Sequence, residues 1–553
     1  MTSSMTPADI TVLTGGTIHL DAERSVAALA LQGDRVLAAG TEEQVLAIAG
    51  PRHHRTDLDG RTVVPGFVDA HIHPLFAGLG LLQCGFDGVH DGAAALDSIG
   101  RYAEANPELP WIVGAGWSME WFPGGTPSRH ELDKVVPDRP AVFVNRDGHG
   151  AWANSAALQL AGVDARTADP ADGRIEREPD GSPQGTLHEG AMELVTRHQP
   201  AAGEDDVDAA LAAAQQHLHS LGVTGWQDAL VGAYTTCPDP TAGYLRAVAA
   251  GTLTARVVGA LWWDRARGLE QIDDVARRRV AVAAPGGSGS FRTTTIKMML
   301  DGVAENFTAG MLEPYLDSCG CPTANTGLSH VDPELLQEAV VRLDALGFQV
   351  HFHALGDRAV RQALDAVEAA RRANGTSDNR HHLAHLQVVH DDDIPRFAQL
   401  GAAANIQALW AVHERQMDEL TIPFLGAERA ARQYPFAGLL ATGARLCAGS
   451  DWPVSSAAPL EAMHVAVNRR PPGTVDGPRF LPEQALTARQ FLAAYTSGSA
   501  WINHAEADTG TLDVGKLADL AVLDADPLAV EPGRIGDVRV TATFVSGQPV
   551  FTA

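Results

Sequence analysis

Alternation of strand-like and helix-like segments through the middle of this chain is the feature that most limits its fold. Eight β-prone runs occur there: Val63 to His73, Val223 to Asp228, Arg256 to Trp262, Thr293 to Leu300, Phe348 to His353, His382 to Val388, Ala403 to Leu409 and Arg445 to Gly449. Stretches rich in Ala and Leu separate several of these runs: Val207 to Ser220, Pro333 to Leu346 and Asp357 to Arg372. Eight β/α repeats predict an α/β fold built on a (β/α)8 TIM barrel, whose functional side chains come from the carboxyl ends of the strands.

The two ends of the chain differ from the middle. Short β-prone runs punctuated by Gly and Asp occur at both ends: Thr11 to Thr14, Gly16 to Leu20, Val26 to Gln32, Arg35 to Gly40, Gly515 to Leu523, Val538 to Val545 and Val550 to Phe551. Because chain termini often lie close together, we expect one small β-sandwich domain formed by both. The predicted domains are therefore 1–62 and 503–553 for the sandwich and 63–502 for the catalytic barrel.

The first and second predicted barrel strands are too far apart for one β/α unit. We therefore expect a large insertion after the first strand, over about 79–219, with loops rich in Pro and Gly. It contains many aromatic side chains: Trp111, Trp117, Trp121, Phe122, Phe143 and Trp152. An insertion over the catalytic face would act as a lid and a substrate-binding element. The alternative is a structural unit with its own core.

Charge and cysteine content limit the partners and the compartment. The 553 residues carry a formal net charge of -27, which disfavours nucleic acid and anionic membranes as partners. The cysteines are an odd, sparse set that fits a reducing cytosol, with Cys319 and Cys321 in a loop: Cys84, Cys237, Cys319, Cys321 and Cys447. Met1 to Ile10 lacks the basic and apolar regions of a signal peptide, and no stretch is apolar enough for a membrane span. We expect a cytoplasmic protein that handles small molecules. Nothing in the sequence identifies an interface, and a homo-oligomer is compatible with it.

Residue types that bind metals recur at the predicted strand ends. His71 and His73 lie two residues apart, so in a strand both imidazoles would project to one side. Further candidates follow in later strands: Lys297 in the fourth, His351 and His353 in the fifth, His385 in the sixth and Asp451 after the eighth. Histidine suits zinc, and a carboxylate adds negative charge and a possible base. The pattern predicts a metal centre at the carboxyl end of the barrel.

Five longer motifs resemble those of the amidohydrolase superfamily, and within it the amidohydrolase-3 group similar to N-substituted formamide deformylases. They are PGFVDAHIH over 65–73, DGHGAWANSA over 147–156, HALGDRA over 353–359, SDWP over 450–453 and GKLADL over 515–520. The resemblance covers nearly the whole chain, and the combination of motifs is far more specific than any one of them.

The resemblance implies a ligand set and its roles. By analogy with the family, His71 and His73 would bind a first metal, and His353 and His385 a second. A carboxylated Lys297 would bridge the two, and Asp451 would contact the first metal and act as the catalytic base. His351 would support or pack against these ligands. The expected cofactor is one or two divalent metals per chain, with zinc favoured and manganese, iron, cobalt and nickel compatible.

Lys297 has two interpretations. An unmodified lysine is a cation with a reference pKa of about 10.4 and would repel a metal. Reaction with carbon dioxide turns it into an anionic carbamate, and burial beside cations lowers the lysine pKa and supplies the neutral amine that this reaction needs. The alternative is an unmodified lysine paired with Asp301 or Glu305.

Aromatic residues near the strand ends are candidates for substrate binding. Trp410 and Trp452 follow the seventh and eighth strands, while Trp117 lies in the insertion and could equally be packing there. His149 in the insertion motif, and Tyr315, could assist a developing oxyanion or have only loop or packing roles. If the aromatic residues line the site, the substrate is a small molecule with an apolar group.

The expected function is metal-dependent hydrolysis of the C–N bond of an amide, such as an N-substituted formamide or another N-acyl compound, by metal-activated water. The same site could instead hydrolyse esters, lactones, carbamates or amino-heterocycles, because the fold does not fix the substrate. A non-catalytic regulatory protein on the same barrel is the other alternative, although it would normally lack part of the ligand set that is present here.

Overall fold

The computed structural model describes residues 10–86, 88–234, 237–284, 289–474 and 476–553. Met1 to Asp9, and with them most of the segment on which the signal-peptide prediction was based, lie outside the described residues. Within the described ranges, no helix combines the length and apolar character needed to cross a membrane.

A parallel barrel forms the centre of the described structure. Its strands are hydrogen-bonded in chain order: Phe67–Ile72, Val223–Val231, Arg256–Trp262, Ser290–Met299, Gln349–Ala354, His382–His385, Ala403–Ile406 and Leu446–Ala448. The ring is nearly closed between its last and first strands, because the Asp451 amide donates to the His71 carbonyl at 2.8 Å and the His73 amide to the Trp452 carbonyl at 3.0 Å. The predicted α/β barrel is confirmed. A short outer strand, Ala281–Ala283, pairs with the fourth barrel strand.

Helices surround the barrel and shield its strands, which are buried on both faces. They are Pro74–Leu82, Glu204–Ser220, Thr241–Ala250, Ile272–Arg277, Pro333–Ala345, Asp357–Asn374, Ile394–Leu400, Ile422–Leu425, Ala427–Ala430, Phe436–Ala441, Pro459–Asn468, Ala488–Ala493 and Ser499–Ile502. The helix after the fourth strand begins where the sequence predicts, since the Asp332 side chain accepts from the amides of Glu334 and Leu335 and Pro333 occupies the first turn.

Two further sheets pack face to face at the amino-terminal side of the first barrel strand. One contains Arg35–Gly40, Ala28–Gln32, Ile10–Thr14 and His54–Asp57, in that order. The other contains Gln548–Thr552, Val540–Val545, Leu520–Leu523, Thr62–Pro65, Thr17–His19 and Ser25–Val26. Leu13 and Leu29 of the first sheet share one apolar core with Leu520 of the second, and helix Glu42–Ala49 packs on the first sheet. Segments from both ends of the chain therefore build this sandwich.

The run from Val63 to His73 is not one strand, contrary to expectation. Thr62–Pro65 belongs to the sandwich and Phe67–Ile72 to the barrel, with Gly66 between them. The Gly66 amide donates to the Asp519 carbonyl at 2.9 Å, and a Cβ atom on Gly66 would lie 2.4 Å from Cγ2 of Thr224. His73 lies beyond the strand, at the N-cap position of helix Pro74–Leu82, without a side-chain hydrogen bond to that helix. The alternation of a single strand therefore does not explain how His71 and His73 come to face the same point.

The insertion forms a unit with its own sheet and cores. Its strands are ordered Gly173–Arg177, Pro183–Glu189, Gly150–Ala153, Ala141–Asn145 and Ile112–Trp117, and its helices are Gly92–Ala105, Arg129–Val135, Ser155–Ala161 and Glu193–Thr196. Separate apolar clusters lie on the two faces of this sheet. These elements occupy a narrower range than 79–219, because Glu204–Ser220 is the helix that leads into the second barrel strand and packs against Pro74–Leu82.

The contact between those two helices depends on a glycine. A Cβ atom on Gly78 would lie 2.0 Å from the Ala210 carbonyl oxygen, whereas one on Gly80, in the same helix, would meet nothing within 4 Å. We expect Gly78→Ala to destabilise the protein by about 1–3 kcal/mol through overpacking. Gly80→Ala is the matched control and should be neutral or stabilising by up to about 1 kcal/mol. Thermal-unfolding midpoints that fall equally in both variants would contradict this packing.

Candidate metal centre

A cavity at the carboxyl end of the barrel collects the predicted ligands. His71, His73, Lys297, His353, His385 and Asp451 all line it. The insertion closes it from above with Val144, Asp147, Gly148, His149 and Met192. Six side chains from five different parts of the barrel therefore face one enclosed space, as the carboxyl ends of parallel strands require.

Asp451 lies at the centre of this group. Its Oδ1 is 3.1 Å from Nε2 of His71 and 3.0 Å from Nε2 of His73, and its Oδ2 is 3.8 Å from Nδ1 of His385. The ring centroids of His71 and His385 are 4.7 Å apart. Three imidazoles thus converge on one carboxylate that is 4% exposed, so this cluster is shielded from bulk water.

Asp69 connects the first strand with the segment that carries Asp451. One carboxylate oxygen accepts from the His71 amide at 3.0 Å, and both oxygens accept from the Ser450 amide at 3.1 Å. The Tyr495 hydroxyl donates to the second oxygen at 2.8 Å. Burial raises the pKa of Asp69 to about 6, against the effect of these donors. Asp69 therefore positions residues of the site without lining the cavity.

Lys297 projects into the same space from the fourth strand. Its Nζ is 3.4 Å from Nε2 of His71, and burial lowers its pKa to about 7 although Asp451 acts in the opposite direction. Asp301 is hydrogen-bonded to Nδ1 of His353 at 3.2 Å, and Glu305 accepts from the Thr421 hydroxyl at 3.0 Å. The two acids considered as lysine partners are therefore engaged elsewhere.

His353 and His385 are each held by a neighbour. Asp301 fixes His353 and also accepts from the amides of Leu355 and Gly356 at 3.1 and 2.9 Å. The His385 ring stacks on Trp410, with centroids 5.1 Å apart and an interplanar angle of 4°. Both imidazoles are thus oriented toward the cavity before any ligand arrives.

The donor set fits a divalent cation. In the described part of the chain, Nδ1 of His73, both ring nitrogens of His385 and Oδ1 of Asp451 are buried without a hydrogen-bond partner, which is costly unless another group satisfies them. Ligand atoms of His71, His385 and Asp451 all lie within 4.8 Å of one another. Burial, with Lys297, lowers the pKa of His71 to about 3. Burial opposes the ionisation of Asp451, yet the imidazoles hold its pKa well below the usual range. Neutral imidazole beside ionised carboxylate is the combination that metals require.

The comparisons with known proteins agree with this geometry. Residues 56–551 match the model of the amidohydrolase family. The chain belongs to the amidohydrolase family. It is 31% identical to "Protein LONG AFTER FAR-RED 3" of Arabidopsis thaliana, over 99% of this chain and 93% of that protein. It is 29% identical to the N-substituted formamide deformylase of Arthrobacter pascens, over 98% and 97%. The crystal structure of an uncharacterized metal-dependent hydrolase from Pyrococcus furiosus matches 94% of this chain and 100% of that chain, with a TM-score of 0.70 and 26% identity. Family and cluster together indicate a metal-dependent hydrolase.

The predicted substrate-binding residues of this amidohydrolase separate into two groups. Trp410 and His149 line the cavity, as expected. Trp117 does not: it is fully buried in the insertion, where its indole donates to the Phe143 carbonyl at 2.8 Å. Trp452 stacks on His217 and faces an adjoining cavity that shares Phe76 and Val454 with the first. The position of Trp117 agrees with the packing alternative, because the insertion uses this aromatic side chain for its own core.

The remaining candidates have supporting roles. The Tyr315 hydroxyl donates to the Ala309 carbonyl at 2.9 Å within a small apolar cluster, so this side chain has a packing role. His351 contacts Nδ1 of His71 through its own Nε2 at 2.8 Å. Two further histidines near the sixth strand lie outside the cavity: His381 pairs with Asp344 at 3.1 Å, and His390 is half-buried beside Asp392.

Glu189 and Asp228 are cavity neighbours that the sequence did not reveal. Glu189 ends an insertion strand, with its Oε2 3.0 Å from Nδ1 of His149 and its Oε1 accepting from the Thr308 hydroxyl at 2.6 Å. Asp228 lines the cavity, where burial raises its pKa to about 7 while the Tyr244 hydroxyl donates to it at 2.9 Å. Neither residue lies in a motif whose spacing suggests chemistry, so no sequence signal marked them.

The pair of Glu189 and His149 should make stability depend on pH. Burial disfavours both charges, but each partner outweighs it: the pKa of His149 rises from 6.5 to about 9, and that of Glu189 falls from 4.5 to about 2. Because the pKa of His149 is raised in the folded protein, its charged form stabilises the fold fully below pH 6.5. This stabilisation is lost as the pH rises through 9. Because the pKa of Glu189 is lowered in the folded protein, its ionised form stabilises the fold fully above pH 4.5. This stabilisation is lost as the pH falls toward 2.

We therefore expect Glu189→Gln to cost about 3–5 kcal/mol of unfolding free energy where both groups are charged. That difference from the unsubstituted protein should be greatest between pH 4.5 and 6.5 and should shrink above pH 9. Denaturant titrations across pH measure it. Glu104→Gln, at an exposed position of the insertion helix, is the control and should show no such profile. A loss in Glu189→Gln that is constant with pH would contradict the charged pair.

Proposed function

We propose that this amidohydrolase hydrolyses the C–N bond of a small amide, such as an N-substituted formamide or another N-acyl compound. The observation that carries the proposal is the buried group of imidazoles around Asp451. Among the described residues, Nδ1 of His73, both ring nitrogens of His385 and Oδ1 of Asp451 lack a hydrogen-bond partner. Such a group is costly without a cation and useful with one. Family membership supports hydrolytic chemistry at this position.

The proposed ligands are those that line the cavity. His71, His73 and Asp451 would hold one metal, and His353 and His385 a second, with a carboxylated Lys297 between them. Zinc is our first choice because the set is rich in histidine. A divalent metal, when bound, supplies Lewis acidity: it polarises a carbonyl and makes hydroxide available near neutral pH.

Asp451 is the proposed general base and acid. Its carboxylate is ionised and accessible from the cavity, so it can accept a proton from the attacking water. It can then deliver that proton to the leaving nitrogen when the tetrahedral intermediate collapses. The delivery matters because an unprotonated amide nitrogen is a poor leaving group. His149, held by Glu189 on the opposite wall, is the proposed partner of the developing oxyanion.

The carbamate on Lys297 is supported by the surroundings of its amine. The side chain is buried next to His71, and its lowered pKa supplies neutral amine near pH 7. In the modification, the nitrogen lone pair forms an N–C bond to carbon dioxide while one C=O π bond opens to an oxyanion, and the nitrogen loses one proton to water. The product is an anion with two oxygens, which suits a position between two cations.

The lining of the cavity supports a substrate with an apolar group. Apart from the candidate ligands, its walls are mostly apolar or aromatic: Leu75, Phe76, Val144, Met192, Leu230, Trp262, Met299, Leu355, Trp410 and Val454. Such a lining favours a small molecule whose only strongly polar part is the scissile group. A panel of amides, esters, lactones, carbamates and amino-heterocycles separates the proposed reaction from the alternatives on the same site.

Asp451→Asn tests the role of the base. We expect the variant to remain folded and to lose activity at least 100-fold, in line with about 10²–10⁴ for the loss of a general acid–base group. Asp164→Asn, an exposed position that pairs with Arg166, is the matched control and should retain full turnover. Rates are measured with the best substrate of the panel, and folding by circular dichroism. Near-normal turnover in a folded Asp451→Asn protein would refute the assignment.

Metal content tests the ligand set independently of any substrate. Elemental analysis of protein purified without chelator should give about two equivalents per chain, and Lys297→Ala should lower this value. About one equivalent in the unsubstituted protein would indicate a mononuclear site. No metal, with no activity gained on metal addition, would favour the regulatory interpretation. A high-resolution map with a plain amine at Lys297 in a fully metallated site would rule out the carbamate.

A further inference from the structure

Beneath the candidate metal centre, the barrel interior contains a chain of buried amides and imidazoles in place of an apolar core. Its members are Gln227, Gln349, His351, His382 and Asn405, each at most 3% exposed. The chain ends at His71, since Nε2 of His351 is 2.8 Å from Nδ1 of His71. None of these five side chains lines the cavity, and His71 is the cavity side chain to which the chain is hydrogen-bonded directly.

The first fixed point of this chain is the amide of Gln349. Its nitrogen donates to two main-chain carbonyls, those of Arg380 at 2.9 Å and Ile502 at 2.8 Å. A carbonyl can only accept, so the orientation of the amide is determined. Its oxygen therefore faces Thr295 and Gln227, and the Gln227 amide nitrogen donates to it at 3.0 Å. That nitrogen also donates to Oδ1 of Asn503 at 2.8 Å.

A second fixed point lies at the carboxyl ends of the sixth and seventh strands. The His385 amide donates to Oε1 of Gln407 at 2.8 Å, so the nitrogen of Gln407 must face Asn405, where it donates to Oδ1 at 3.0 Å. The Asn405 nitrogen then donates to the Ala70 carbonyl at 2.8 Å and faces Nδ1 of His382 at 3.2 Å. Nδ1 of His382 is therefore an acceptor, and the proton of this imidazole is on Nε2.

The two paths meet at the oxygen of Gln227. It accepts from Nε2 of His382 at 3.0 Å and from Nδ1 of His351 at 2.7 Å. His351 thus carries its proton on Nδ1. The ring is fully buried, and its hydrogen-bond partners, the Gln227 amide and the His71 imidazole, offer no negative charge that would stabilise a second proton. Nε2 of His351 is then a bare acceptor. Because a hydrogen bond needs one proton, Nδ1 of His71 must donate to it.

This assignment leaves Nε2 of His71 unprotonated. The bare nitrogen is 3.1 Å from Oδ1 of Asp451, which also has no proton to offer. Nζ of Lys297, 3.4 Å from the same nitrogen, can donate to it, and a lone pair that faces a carboxylate oxygen favours a cation beside the two. A histidine ligand usually donates its other ring nitrogen to a partner that fixes tautomer and orientation, and here the partner is an imidazole fixed by an amide.

We propose that Gln227 and His351 set the proton position on His71 and thereby preorganise its Nε2 as a metal ligand. Both are positioning residues, because they act through His71 and touch no substrate. The role of this proton position in metal binding rests on the proposed function. The proton position itself is a property of the metal-free protein.

Nuclear magnetic resonance of the metal-free protein tests the proton position directly. With histidine labelled by ¹⁵N in the ring, the resonances of His71 are identified by their loss in His71→Asn. We expect Nδ1 of His71 to be protonated and Nε2 bare, with the same tautomer for His351. A proton on Nε2 of His71 would overturn the inference, even in a protein that binds no metal.

Metal affinity tests the consequence. We expect His351→Leu and Gln227→Leu each to weaken the binding of Zn²⁺ by about 10–100-fold in chelator competition, the usual effect of losing such a partner. His351→Gln, whose side-chain oxygen can accept from Nδ1 of His71, should recover part of the loss. His381→Gln removes another buried imidazole, 6% exposed, that pairs with Asp344 instead, and the variant should bind Zn²⁺ normally.

Thermal midpoints of the metal-free variants separate affinity from folding. Affinity within twofold of the unsubstituted protein in a folded His351→Leu or Gln227→Leu variant would overturn the proposal. An equal loss in His381→Gln would do the same. If the variants do not fold, the tautomer of the unsubstituted protein still decides. If the unsubstituted protein binds no Zn²⁺ but has the expected tautomer, the proposed function fails while the positioning network stands.

Discussion

The carboxylate of Asp69 is the constraint on which the site depends. It holds the amides of His71 and Ser450 together, where the last strand of the barrel meets the first. That junction brings His71 and Asp451 within 3.1 Å although 380 residues separate them in sequence. A parallel barrel has a seam wherever its ends meet. In this amidohydrolase the junction between the last and first strands lies at the candidate metal centre, so the hydrogen bonds that close the barrel also position His71 and Asp451.

The barrel interior is organised to support that seam. An ordinary barrel core is filled with branched apolar side chains. Here Gln227, Gln349 and His382 occupy the interior and are hydrogen-bonded to one another or to the main chain. A buried polar network is stable only when its members are satisfied, and a satisfied network permits one arrangement. The candidate ligands thus rest on a support whose orientation is determined by main-chain carbonyls and amides.

The insertion contributes the other wall of the cavity. Most of its aromatic residues form a core on one face of its sheet, which makes it a rigid cover with its own packing. From this cover, His149 faces His353 with ring centroids 5.6 Å apart, and Glu189 holds it there. The barrel supplies the proposed ligands. The insertion supplies the buried pair of His149 and Glu189 and the apolar side chains of Val144 and Met192, which line the cavity. Helices Pro74–Leu82 and Glu204–Ser220, which precede and follow the insertion in the sequence, pack against each other and so hold its two ends together.

The sequence by itself determined the barrel, the two-ended sandwich and the candidate ligands, because strand ends in a parallel barrel converge and the motifs at those ends are specific. Only the tertiary structure decided the rest. It divided the run around Gly66 between two sheets, placed Trp117 in the insertion core, and brought Asp69, Glu189 and Gln227 to the site. These roles arise from contacts between residues far apart in the chain. A local motif contains Asp69 but not its partners, and a buried carboxylate or amide acquires its function from the partners that folding brings to it.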